Sequence, residues 1–231
     1  MKFLLCTVIF GLLLGFPLSK TMAAYGEGFS SQGELKLEAR QFRNDDNTQT
    51  VDNALALFSR IDSEYKKESF EAVMSGYGRV DQKDESRSFA TFEDFYAAYH
   101  FGEMESFKAL AGYKVFNWTA LEAFHPADVV NARNFDSNLE NLEKKGELTV
   151  ELQSVVGEGT VSFYYFPRFQ KPEFPERSSR YSGGVNLSRP VIARDDELDQ
   201  DYWIPQYGLR LSQYLFDADI SLHYLNRIDR Y

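Results

Sequence analysis

The sequence predicts an all-β fold, an antiparallel transmembrane β-barrel preceded by an export signal. Three observations predict it. Segments with a period of two recur along the chain, and short and long links alternate between them. The chain is also rich in aromatics, with 20 Phe, 14 Tyr and 2 Trp in 231 residues, although 26% of its residues are charged. Mean hydropathy is negative, at −0.42. An acidic soluble chain seldom needs so many aromatic rings, whereas a barrel places them in girdles at both membrane interfaces.

The first residues read as a secretory signal. Met1-Lys2 is a positive start, Phe3 to Leu18 is an almost unbroken apolar run, and Ser19 to Ala24 supplies small residues suited to cleavage after Ala23 or Ala24. The apolar run is shorter than the roughly 20 residues of a spanning helix. The expected division is therefore a signal peptide at 1–24 and a barrel at 25–231. Cys6 is the only cysteine and lies inside the signal, so the exported chain is expected to carry neither disulfide nor thiol chemistry. The formal charge is −10 and becomes more negative once Lys2 and Lys20 leave with the signal. Nucleic acid is a poor partner for so acidic a chain. No later segment has the long apolar run of a membrane helix, a test that says nothing about strands.

Nine segments alternate. In Gly33 to Arg43, Leu35, Leu37 and Ala39 share one face, and Glu34, Lys36, Glu38 and Arg40 share the other. Asn53 to Tyr65 follows with Leu55, Leu57 and Ile61 in phase, and then Ser69 to Val80. Ser88 to Phe101 is expected to carry Phe89, Phe95, Ala97, Tyr99 and Phe101 on one face. In Phe107 to Phe116, Phe107, Ala109, Ala111, Tyr113 and Val115 alternate with Lys108, Leu110, Gly112 and Lys114. Glu147 to Val156, Thr160 to Phe166, Gln206 to Phe216 and Ala218 to Ile228 complete the set.

Long links at 44–52, 81–87, 117–146 and 167–205 alternate with tight turns near Lys66-Lys67, Gly102–Ser106, Gly157–Gly159 and Phe216-Asp217. Outer-membrane barrels alternate in this way, with short turns toward the periplasm and long loops outward. Bacterial single-chain barrels have an even strand number. Nine strands, ending just before Tyr231, therefore read as an incomplete barrel truncated at its C-terminus. Arg180 to Ser188 is a candidate tenth strand.

The link after the fifth strand is far longer than an ordinary loop, and such loops are functional or packed inside something. Gly112-Tyr113-Lys114-Val115-Phe116-Asn117-Trp118, then Glu122 and Pro126-Ala127-Asp128-Val129-Val130-Asn131, resembles a pattern of porin-type outer-membrane barrels. In these a G-x-Q-x-x-x-W-G strand leads into a P-x-D-V-x-N loop. Tyr165 to Phe169 and Gly208 to Ser212 fit the same resemblance. It is nearest to alginate-export-like barrels and related families of unassigned substrate. The resemblance runs over roughly 33–231, with a specific motif of about 20 residues. Lys114 replaces the usual Gln, and Thr119 the Gly after Trp118. The resemblance implies that this loop folds into the lumen, with Trp118, Glu122, His125, Asp128, Asn131 and Arg133 lining a constriction that selects solutes by charge. The competing role for Trp118, Pro126, Asp128 and Asn131 is to lock the loop to the wall.

Other chemistry is sparse. His100, His125 and His223 are dispersed, and no G-x-S-x-G motif accompanies them, so no enzyme is expected. The acidic run Asp195 to Asp201 lacks the Gly and terminal Glu of an EF-hand loop and reads as a solvated loop, with Ca²⁺ as the alternative. No cofactor or metal is implied. The expected function is an outer-membrane channel for small polar or anionic molecules. Its partners would be outer-membrane lipid, the solute and an inner-membrane exporter. The alternatives are a barrel scaffold for surface binding or adhesion, and a soluble secreted β-sandwich.

Overall fold

The computed structural model describes residues 28–41, 53–118, 130–135, 143–174, 203–216 and 218–228. The signal at 1–24, the candidate strand at 180–188 and the acidic run at 195–201 lie outside them. Nine strands form one antiparallel sheet. They are β1 (Gly28–Gln41), β2 (Asn53–Lys67), β3 (Phe70–Asp81), β4 (Phe89–Phe101), β5 (Phe107–Lys114), β8 (Glu147–Val156), β9 (Gly159–Phe166), β10 (Gln206–Leu215) and β11 (Ala218–Asn226). Each strand pairs with the next, so the sheet is a simple meander. It is open: among the described residues β1 pairs only with β2, and β11 only with β10. Of the incomplete barrel expected from the sequence, the antiparallel sheet is present, and it is not closed.

The link after β5 has structure of its own that the sequence reading did not give it. It contains two short strands, β6 (Arg133–Asn134) and β7 (Glu143–Lys144), which pair with each other. No alternating pattern announces strands of two residues, because the partner, and not periodicity, holds them extended.

Residues directly opposite in a ladder point to the same side. The registers therefore sort the whole sheet into two faces. The outer face carries Leu35 and Leu37, Leu55, Leu57 and Ile61, Phe70, Phe92 and Phe95, Val150 and Leu152, Leu209 and Leu211, and Leu222, all exposed. Along all nine strands the only charged residue on that face is Lys67, at a turn. The inner face carries the charges, among them Glu34, Lys36, Glu38, Arg60, Asp62, Glu71, Arg79, Lys114, Glu151 and Arg210.

The expected face of Phe89 is corrected. The β3–β4 register shifts at Ser75/Gly76, where Gly76 faces Phe92 and Ser75 faces Asp94, leaving Glu93 as an extra residue. Such a bulge inverts the phase. Phe89 therefore faces inward opposite Arg79, while Phe95, Tyr99 and Phe101 stay outward.

The short turns share a backbone device. All the non-glycine residues with positive φ among those described (Glu68, Met104, Glu105 and Phe216) sit in them, as do Gly102 and Gly157. Tight hairpin turns need such left-handed residues to match the twist of the strands. Successive short turns are also staggered by a constant step. Phe70 faces Tyr99, and β4 runs two residues on to Phe101. Phe107 faces Ser154, and β8 runs two on to Val156. Gly159 faces Gln213, and β10 runs two on to Leu215. Two residues of rise, about 6.6 Å, across two strand spacings, about 9.6 Å, tilt the strands by about 35° from the normal to the line of turns.

Candidate functional site

The inner face divides into two parts. Over β1 to β5 most of its charges are paired laterally. Glu34 meets Lys36 at 2.8 Å, and Arg60 meets Asp62 at 2.9 Å and Glu93 on the bulge. Arg79, 4% exposed, reaches Glu38 two strands away at 3.1 Å and Glu143 of β7 at 3.4 Å. Its guanidinium also lies over the rings of Phe58 and inward-turned Phe89, 5.3 and 5.6 Å from their centroids. Burial pushes the Glu143 carboxyl above the usual carboxylate range, against the pull of Arg79. Tyr96 donates to Glu71 at 2.9 Å, and Lys114 pairs with Glu151 at 3.1 Å.

Over β9 to β11 the inner face is covered by the start of the long link. Phe116, Trp118, Val130, Tyr164 and Phe166 form a buried apolar cluster, with Leu225 against it. Trp118 lies 5.3 Å from the Tyr164 ring and 4.9 Å from the His223 ring, and Arg210 sits 6.0 Å from its centroid. Rings packed in this way contribute beyond their burial, about 0.5–1.5 kcal/mol a pair.

Asn131 holds this cover in place. Its Oδ1 accepts from the Phe116 N–H at 2.7 Å, and its Nδ2 donates to the carbonyls of Lys114 at 3.1 Å and Lys145 at 2.9 Å. One buried amide thus ties both ends of the link together. The Ala132 N–H donates to Glu147, and Arg227 donates to the Val130 carbonyl at 2.7 Å. Gly146 completes the seam by donating to the Phe92 carbonyl at 3.0 Å. A Cβ at Gly146 would overlap the Glu93 carbonyl oxygen, so this close approach requires glycine. The next link joins in: Phe135 donates to the Glu173 carbonyl at 2.8 Å, and Phe135 stacks on Phe174 at 5.0 Å.

Of the six residues expected to line a constriction, three are described. Trp118 and Asn131 are buried against the inner face as packing and hydrogen-bonding groups. Arg133, on β6, is half-buried and accepts through its carbonyl from the Glu173 N–H at 3.0 Å. Glu122, His125 and Asp128 lie outside the described residues. Sequence reasoning did not group Arg210, His223 and Tyr164 with Trp118. Each stands in phase against outward apolar neighbours, so alternation places all three inward, but only the fold brings Trp118 to them.

No protein-family model matches the chain, and neither does any curated protein or solved structure. Among the described residues no group of His, Cys, Asp or Glu could hold a metal ion. No helix among them is long and apolar enough to cross a membrane, which says nothing about strands.

Proposed function

We propose that this chain is exported and that its sheet is the wall of an outer-membrane β-barrel, a channel passing small polar or anionic molecules. The observation that carries the reading is the outer face: apolar, uncharged along nine strands except at one turn, and covered by nothing described. Soluble monomers rarely expose a continuous apolar area larger than a few hundred Å². In a bilayer this face meets hydrocarbon, and the charged inner face meets water. A tilt of about 35° falls within the range of barrel strands, about 35–45°. Tyr65, Phe70, Tyr99, Phe101 and Phe107 gather outward at the short-turn rim, where an aromatic girdle would lie. The resemblance of 112–118 and 126–131 to porin-type barrels supports the same reading.

Lipid demands that the backbone groups of β1 and β11 be paired, because neither edge can face hydrocarbon bare. A membrane form therefore has both edges paired, with each other or with further strands. The two interlocked long links also favour a second reading, a barrel that scaffolds a surface-binding cap. Fractionation and conductance test both readings. The channel reading expects the protein in the outer-membrane fraction, extracted only by detergent, with discrete conductance steps in planar bilayers. Membrane insertion without conductance favours the scaffold, and recovery in the aqueous fraction overturns both.

A further inference from the structure

We infer that Arg210, His223 and Trp118 form an oxyanion-binding subsite on the inner wall, taking a carboxylate or sulfate group of a passing solute. The inference rests on the channel reading and names its solute class. Arg40, Arg60 and Arg79 on the inner face each meet a carboxylate. Arg210 meets none among the described residues. Its ladder neighbours are Ser162 on one side and His223 on the other, and Glu151 nearby is taken by Lys114. A guanidinium with no carboxylate partner, on the inner wall of an acidic protein, is a place for an anion from outside.

The neighbouring polar atoms agree. Arg210 Nε, His223 Nδ1 and Trp118 Nε1 are all buried with no hydrogen-bond partner, and Trp118 as a whole is only 6% exposed. Buried polar atoms left without partners are rare and call for an explanation. Two of these atoms can only donate, and the imidazole nitrogen donates in one of its tautomers. N–H donors with no acceptor suit a group that only accepts, and an ionised oxyanion is such a group. Trp118 holds the three together, with the His223 ring and the Arg210 guanidinium both against its indole.

Trp118 also reports on the site. The chain has two tryptophans, so Trp203→Phe leaves Trp118 as the only one. The full chain carrying this change, in detergent micelles, is titrated at constant ionic strength with sodium acetate, with sodium sulfate and, as control, with sodium chloride. The expected result is a saturable shift of Trp118 emission with acetate or sulfate and none with chloride; whichever responds fixes the oxyanion. Adding Arg210→Gln is expected to weaken the response at least tenfold, while Arg210→Lys keeps part of it. Circular dichroism verifies that each variant keeps its strand content. In a folded sample, emission unmoved by either oxyanion overturns the subsite, as does a response equal in chloride or unchanged by Arg210→Gln. Micelle fluorescence needs no conductance, so a missing channel and a missing subsite are separate results.

Discussion

The two faces of the same nine strands obey opposite rules. Outward, Leu57 and Leu152 stand exposed with no layer over them, and charge is kept away. Inward, Arg79 and Glu147 are buried, and buried charge is matched by partners. A soluble sheet with one covered face does the reverse, burying the apolar side and wetting the polar one. The proposed channel rests on this inversion: on that reading the sheet meets an apolar medium outside and water inside. The faces stay separate across nine strands because the register holds, and the Glu93 bulge is the one place where the alternation resets.

The comparison breaks most sharply if charge is placed outside. Leu57→Lys is expected to destabilise the protein in vesicles by about 2–4 kcal/mol if that position lies near the bilayer centre. Urea unfolding followed by tryptophan emission reads this. Equal stability of variant and parent would place Leu57 in water.

Asn131→Ala sharpens the picture of the inner face. It leaves the Phe116 N–H and two carbonyls without their amide partner, at a cost of about 1–3 kcal/mol. It is also expected to expose Trp118 to aqueous quenchers. Unchanged quenching would mean that the cover stays docked without its amide tie. Lys36→Gln removes the half-exposed pair with Glu34 and the ammonium 5.4 Å from the Phe58 ring centroid, and should shift stability by no more than about 1 kcal/mol in the same unfolding assay. A larger loss would mean that the inner face near β1 is drier than its exposure implies.

Much of this fold was legible in the sequence. Alternation located all nine long strands to within a few residues, except that β1 begins at Gly28, five residues earlier than expected. Gly28 to Gln32 alternates weakly, since Ser30, Ser31 and Gln32 are polar on both faces, and only pairing with Asp62 to Lys66 holds it in the sheet. The face of Phe89 was not legible, because a bulge is set by the partner strand and leaves no mark in a period of two. The site was legible in part. Trp118 and Asn131 stood out in a long aromatic link, but their contacts with Tyr164, His223 and Lys145 join residues far apart in sequence.

The account rests most directly on what surrounds adjacent side chains of one strand. With Cys6 expected to leave with the signal, Leu152→Cys and Gln153→Cys each offer a single site for a nitroxide label in the vesicle-inserted protein. The account predicts that the label at 152 is relaxed by oxygen dissolved in lipid and hidden from a water-soluble nickel reagent, and that the label at 153 shows the reverse. Leu152 shielded from both reagents, or open to the nickel reagent, would contradict it.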